Sequence, residues 1–209
     1  RVRRQRQMCI RDRIAFIMGK SSSGKDSIFR MLADDKELGL CKVVPYTTRP
    51  MRSGETQGVE YNFVDDAQAD RMAAEGRIIE LRSYNTVHGI WRYFTADDGQ
   101  IELGNGSRYI IIGTLEAYKK FLRYFGEEHI MPIYIEVDDG IRLERALERE
   151  RRQQAPDYEE MCRRFIADCH DFSEENIAEC NINKRYSNNA AIEQCLSEIR
   201  RDIGNMMIN

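Results

Sequence analysis

The stretch IAFIMGKSSSGKDSIFRML, residues 14–32, restricts the possible folds of this chain more than any other part of its sequence. It begins with an apolar run that predicts a buried strand, and it ends with the spacing of an amphipathic helix. The glycine-rich loop between them suits an anion, because its backbone N–H groups, the start of the helix and a lysine all offer positive charge. We therefore predict a phosphate-binding loop rather than a plain Gly/Ser-rich turn, and assign to it Gly19, Lys20, Ser21, Ser22, Ser23, Gly24, Lys25, Asp26 and Ser27.

Asp26 stands where such loops carry Ser or Thr. A carboxylate is a good oxygen ligand for Mg²⁺, so we predict that Asp26 and the Ser27 hydroxyl take part in metal binding. The alternative is that Asp26 only favours the start of the helix, where acidic side chains are stabilising. In that case Ser27 alone supplies the metal oxygen.

Length and charge indicate the class of protein. With 209 residues and 42% hydrophobic content, the chain is expected to form one domain, or one core with a small insertion. No apolar run approaches the roughly 18–20 residues that span a bilayer. Residues 1–13 hold six Arg and one Asp, so the rest of the chain carries a net charge of −8. An acidic body argues against nucleic acid as the main partner.

Residues 1–13 are predicted to be an artefactual extension, because the string MCIRD within them matches the translation of a sequencing-library adapter. The alternative is a basic tail for a membrane or a nucleic acid. The six cysteines form no CxxC pair. Their spacing therefore favours neither a metal cluster nor a disulfide framework, and a reducing, cytoplasmic setting is expected.

Buried strands that alternate with helices predict a three-layer α/β fold with a parallel central sheet. The block 45–104 is less hydrophobic, and its short alternating strands predict an insertion on that core. Strands are predicted at 13–18, 41–48, 59–66, 78–82, 107–114 and 130–137, and helices at 26–35, from 66, at 114–126, 140–152, 157–171 and 189–203.

A second informative stretch is YTTRPMRSGETQGVEYNF, residues 46–63. Its Arg49 and Arg52 are three residues apart and are followed by Tyr61. Two guanidinium groups at this spacing suit a phosphate monoanion, which they bind with paired hydrogen bonds. The alternative is an exposed loop with solvated arginines.

Together, the loop and this segment resemble the guanylate kinase family. In that family the phosphate loop is followed by Thr-Thr-Arg-x-x-Arg-x-Gly-Glu and by a Tyr nine residues past the second Arg. The resemblance extends over residues 13–203. It implies a P-loop kinase fold for residues 14–209, with a GMP-binding insertion at 45–104 and a helical lid at 140–165. The matching positions are Thr47, Thr48, Arg49, Arg52, Gly54, Glu55 and Tyr61.

The resemblance also implies an activity and a role for each matching residue. The activity is transfer of the γ-phosphoryl group of ATP to GMP, with Mg²⁺ as the metal. Glu80 corresponds to the family's acid that accepts hydrogen bonds from guanine, against the alternative of an exposed strand acid. The implied GMP-binding residues are Arg49, Arg52, Tyr61, Glu80 and His88, and the implied catalytic residues are Lys25, Arg145, Arg149 and Arg164.

Several positions depart from the family pattern: Pro45, His88, Ile90, Ile112 and Thr114. The last two replace acids of a buried strand. A relative, ribose 1,5-bisphosphate phosphokinase, shares the Gly-Lys-Asp-Ser loop and also lacks those acids, so it is one alternative. A catalytically inactive module that binds proteins is another. The expected partners are small nucleotides, without nucleic acid or membrane, in a monomer or a homodimer.

Overall fold

The computed structural model describes residues 13–86 and 89–205 of the chain. Within them, nine strands and seven α-helices follow one another. In chain order these are β1 (Arg13–Met18), α1 (Lys25–Ala33), β2 (Leu40–Lys42), β3 (Tyr46–Thr47), β4 (Asn62–Phe63), α2 (Asp66–Ala74), β5 (Ile78–Thr86), β6 (Gly89–Ala96), β7 (Arg108–Ile112), α3 (Leu115–Phe125), β8 (Ile130–Glu136), α4 (Asp139–Arg151), α5 (Tyr158–Asp171), α6 (Glu174–Glu179), β9 (Arg185–Ser187) and α7 (Ile192–Asn205).

The core is a five-stranded sheet in the order β2-β7-β1-β8-β9. Every pairing in it is parallel. The central strand β1 is buried from Ile14 to Met18, because helices cover both of its faces. The continuous apolar runs of β1, β7 and β8 therefore lie where the sequence predicted them.

Helices on opposite faces of this sheet form two separate hydrophobic layers. Ile28 and Leu32 of α1 pack with Ile199 and Ile203 of α7 on one face. On the other face, the ring of Phe121 of α3 lies 5.1 Å from that of Phe16 in an edge-on contact. Helix α6 packs on that second face too. The predicted three-layer α/β architecture is confirmed.

A second, four-stranded sheet in the order β4-β3-β6-β5 lies between Tyr46 and Ala96. The single strand predicted at 41–48 is wrong, since β2 belongs to the first sheet and β3 to the second. The Val43 amide still donates to Ile110 of the central sheet, but Pro45 has no N–H with which to continue the ladder. The chain therefore changes sheets at this proline.

Three elements were not predicted: β6, α6 and β9. Strand β6 contains Trp91 and Arg92 and pairs with β5 across eight residue pairs. The limits 45–104 and 140–165 for the insertion and the lid stay predictions. Residues 1–12 of the predicted extension lie outside the described part, and Arg13 is the first residue of β1, opposite Arg108 of β7. No helix among the described residues is long and apolar enough to cross a membrane.

Candidate active site

The glycine-rich loop begins directly after β1 and ends at the first turn of α1. Gly24 has φ 82°, in the left-handed region that favours glycine. A Cβ at Gly24 would lie 2.5 Å from Nδ2 of Asn188, and one at Gly19 would lie 2.6 Å from the Ile135 carbonyl oxygen. Both glycines are therefore required by the closeness of β8 and the segment after β9.

The interior of the loop holds polar atoms suited to a ligand. Asn188 donates from Nδ2 to the Ser23 carbonyl at 2.8 Å, which fixes the loop from the C-terminal side of the sheet. The hydroxyls of Ser22 and Ser23 are buried, and neither has a hydrogen-bond partner in the part of the chain that the structure describes. Buried hydroxyls normally have a partner. An anionic oxygen in the loop would supply one.

Lys25 and Asp26 open helix α1 side by side. The Lys25 Nζ lies 3.6 Å from an Asp26 carboxylate oxygen, and the Asp26 side chain is 68% exposed. Burial is the main reason that the pKa of the Tyr61 phenol is raised, and the Asp26 charge adds to that shift. Asp26 therefore lies close to the segment 46–63, to which Tyr61 belongs.

Lys25 and Asp26 also line a cavity of about 660 Å³ that three parts of the chain enclose. The phosphate loop forms one wall, Arg52 of the segment 46–63 contributes to a second, and helices α4 and α5 with their connection form the third. The lining includes four cations from these parts: Lys25, Arg52, Arg149 and Arg164.

Unlike Arg52, Arg49 is not among the residues that line this cavity. Its side chain is 3% exposed, and its two terminal nitrogens donate to the Glu55 carboxylate at 3.0 and 2.7 Å. Its guanidinium also lies 5.5 Å from the Tyr61 ring centre. Burial lowers the pKa of Arg49, but bonds with Glu55 and Tyr93 outweigh burial and raise it. The structure thus gives Arg49 a buried, paired position and Arg52 an exposed one.

Glu80 is 2% exposed, so the alternative of an exposed strand acid is wrong. It accepts hydrogen bonds from Arg82 at 2.9 and 3.1 Å and from the Thr95 hydroxyl at 3.1 Å. Arg82 lies opposite Tyr93 in the β5–β6 pairing, and Tyr93 packs edge-on against Tyr61. Sequence reasoning missed Arg82, Tyr93 and Thr95. Arg82 could have been found, because residues two apart in a strand, such as Glu80 and Arg82, lie on the same face.

Helices α4 and α5 carry the three arginines predicted for a lid. Arg149 and Arg164 line the cavity, whereas Arg145 donates to the Asn188 carbonyl at 3.0 Å and is not among the lining residues. Arg164 bonds to Glu160 at 2.6 Å, and Arg163 holds the same carboxylate. Hydrogen bonds from Arg163, with those from Arg164, lower the pKa of Glu160 to about 2, so it stays charged at neutral pH.

The remaining predicted positions divide between the described and undescribed parts. His88 lies outside the described residues. Ile112 ends β7, and Thr114 caps α3, where its hydroxyl accepts from the Ala117 amide at 3.2 Å. Residues 13–86 and 89–205 contain no cluster of three or more His, Cys, Asp or Glu side chains that could hold a metal by itself.

Comparisons with known proteins agree with this geometry. The guanylate kinase family profile matches residues 11–91. The guanylate kinase of Thermobifida fusca is 45% identical over 73 residues, which cover 34% of this chain and 36% of that protein. The guanylate kinase of Leifsonia xyli is 34% identical over 133 residues, or 57% of this chain and 50% of that protein. The alignments thus span half or less of these two relatives.

The crystal structure of guanylate kinase from Anaplasma phagocytophilum superposes with a TM-score of 0.63. It is 21% identical in sequence, and the match covers 95% of this chain and 88% of that one. A parallel sheet with a phosphate loop after its central strand defines the class as a P-loop kinase fold. Within that class, the chain is similar to guanylate kinases over residues 11–91, where the family profile matches.

Proposed function

We propose that this protein transfers the γ-phosphoryl group of ATP to GMP. The single observation that carries the proposal is the shared cavity of about 660 Å³. Its lining includes Lys25 of the phosphate loop, which would hold the donor, and Arg52 of the segment 46–63, which would hold the acceptor. It also includes one arginine each from α4 and α5. Phosphoryl transfer depends mainly on positioning two phosphates in line and on neutralising their charge. One cavity with cations from three parts of the chain suits that task.

The residues present fit a magnesium ion that is held largely by the nucleotide. Mg²⁺ is usually bound by one or two carboxylates together with substrate phosphates and water. Asp26 offers one exposed carboxylate at the cavity, next to the exposed Ser27. When bound, the ion would neutralise phosphate charge. Lys25 would bind the outer phosphates, and the buried hydroxyls of Ser22 and Ser23 would donate to phosphate oxygens.

On the acceptor side, Arg52 would bind the GMP phosphate directly, and Arg49 would hold Glu55 and Tyr61 in place around it. Glu80 is the residue for the guanine edge, with Arg82 holding its carboxylate from the side. Tyr93 stands beside Tyr61 and Arg49, so it is a further candidate for the acceptor phosphate.

Free thiols are consistent with a reducing, cytoplasmic setting, because the five cysteines that the structure describes are all unpaired. A binding module without catalysis would have no use for both Lys25 and the acceptor arginines, which favours an enzyme. Nucleotides are its proposed partners, in a monomer or a homodimer.

A coupled assay of ADP release tests the proposal. ATP and Mg²⁺ are offered with GMP, dGMP, AMP or ribose 1,5-bisphosphate as acceptor. We expect saturable ADP production with GMP. No turnover with GMP, alongside turnover with ribose 1,5-bisphosphate, would contradict the proposal and favour the phosphokinase alternative.

A further inference from the structure

Both backbone polar groups of Ser21, in the phosphate loop, are held by side chains from the helical part of the chain. The Ser21 amide donates to a carboxylate oxygen of Asp168 on α5, at 2.7 Å. The Ser21 carbonyl accepts from Nε of Arg142 on α4, at 3.0 Å. Arg142 also donates to the same Asp168 oxygen at 3.3 Å. The three residues form a closed hydrogen-bonded ring, which we call the Ser21 clamp.

The arginine of the clamp is buried, whereas Asp168 and Ser21 are partly exposed. Arg142 is 1% exposed, and its guanidinium lies 4.7 Å from the ring centre of Phe165 on α5. Its other charged partner is Asp139, which also pairs with Lys20 of the loop at 3.3 Å. Burying a charge is costly unless it is paired and hydrogen-bonded. This set of partly buried polar contacts around Ser21 indicates a role beyond packing.

Two roles for Asp168 predict opposite effects. As a stand-in for phosphate, its carboxylate would occupy a loop amide that the nucleotide needs, and its removal would strengthen nucleotide binding. As part of the clamp, it would hold the loop in its binding shape, and its removal would weaken nucleotide binding. The bond from Arg142 to the Ser21 carbonyl favours the clamp, because a phosphate cannot replace a contact to a carbonyl oxygen.

We propose that Arg142 and Asp168 are positioning residues that preorganise the phosphate loop and tie it to helix α5. Because α5 also carries Glu160 and Arg164 of the cavity, movement of that helix is transmitted to Ser21 through Asp168. Preorganisation removes an ordering cost that the ligand would otherwise meet. The inference rests on the proposed function only in that the loop binds a nucleotide phosphate.

Calorimetric titration of the full chain with ADP and Mg²⁺ tests this inference. Asp168→Ala removes the acceptor, and Arg142→Leu with Asp168→Ala also removes the buried guanidinium, which the single variant would leave with Asp139 as a charged partner. We expect both variants to bind ADP roughly tenfold more weakly, on the scale of one lost charge-assisted hydrogen bond. Asp168→Asn keeps an oxygen acceptor and should stay within about threefold of the wild type.

Thermal melts of both variants separate a loss of stability from a loss of ADP affinity, because removing both partners of an ion pair leaves no uncompensated charge. A matched control is Arg200→Leu. It removes a guanidinium that pairs with Asp35 at 2.8 Å and that lies away from the loop. GMP affinity should stay the same in all variants. Equal or tighter ADP binding by whichever of the first two variants folds would overturn the inference. A wild type that binds no ADP would instead contradict the proposed function.

Discussion

At the scale of single residues, substitutions of Asp26 test whether an acid in place of the usual Ser or Thr changes how the loop binds Mg²⁺. Its carboxylate is exposed, lines the cavity and lies 3.6 Å from Lys25. We expect Asp26→Asn to raise the Mg²⁺ concentration for half-maximal rate several-fold and to leave GMP affinity near normal, because a hard-oxygen ligand is lost. Asp26→Ser should recover part of that loss. An unchanged Mg²⁺ dependence in Asp26→Asn would identify Asp26 as a helix-start residue only.

The two arginines proposed for the acceptor side, Arg49 and Arg52, should behave differently from each other. Arg52→Ala should lower kcat/KM for GMP by an amount that corresponds to about 2–4 kcal/mol of transition-state stabilisation. This is the scale for truncating one partner of a charged pair at an interface. Its melting temperature should hardly change, because Arg52 is exposed. Arg49→Ala should weaken GMP use and also lower the melting temperature, since it leaves Glu55 without its buried partner.

Steady-state kinetics with ATP and GMP varied in turn, together with thermal melts, separate these effects. Arg77→Ala is the control, because Arg77 pairs with an exposed Glu75 away from the cavity lining. Equal losses for ATP and GMP in Arg52→Ala would show that Arg52 does not belong to the acceptor side.

At the scale of elements, the connection between α4 and α5 depends on one buried acid. Glu150 is 6% exposed and accepts from the Asp157 amide at 2.6 Å and from the Gln153 side chain at 2.8 Å. Glu150→Ala leaves these donors without partners, so amides at the start of α5 should exchange with solvent at least several-fold faster. Hydrogen exchange of that segment measures the change.

Glu148→Ala is the control on the same helix, because Glu148 is exposed and pairs only loosely with Arg152, at 3.8 Å. Unchanged exchange in Glu150→Ala would mean that the helix pair is held by its packing alone.

Elements with a strong local pattern were predictable from the sequence, whereas those defined by their partners were not. The apolar run of β1 and the spacing of α3 reflect burial that any α/β core imposes. Strand β9 has only three residues and exists because β8 pairs with it. The site shows the same division. The loop was evident from its glycines, but the Ser21 clamp joins residues 121 and 147 positions apart, which no local pattern reveals.

At the scale of the whole molecule, nucleotide binding should stabilise the fold by an amount that grows with the logarithm of the ligand concentration above Kd. A ligand at 100 times its Kd adds about 2.7 kcal/mol to the free energy of unfolding. For a chain of this length, that corresponds to a rise of roughly 5–10 °C in melting temperature. We expect such a rise with ADP and Mg²⁺, measured by differential scanning fluorimetry.

Lys25→Ala should keep the melting temperature of the free protein, because Lys25 is bonded only to the exposed Asp26 among the described residues. It should lose most of the rise with ADP, since the proposed role of the ammonium is to bind the outer phosphates. A full rise in Lys25→Ala would show that ADP binds elsewhere.

The contact between Asn188 and Ser23 joins residues 165 positions apart and has a consequence for synthesis. A ribosome makes the chain from its N-terminus, so the phosphate loop leaves the exit tunnel long before the asparagine that fixes it has been translated. Arg142 and Asp168, which hold Ser21, also arrive late. The loop therefore gains these contacts only after residues 142, 168 and 188 have been translated, and fragments released before then would lack them.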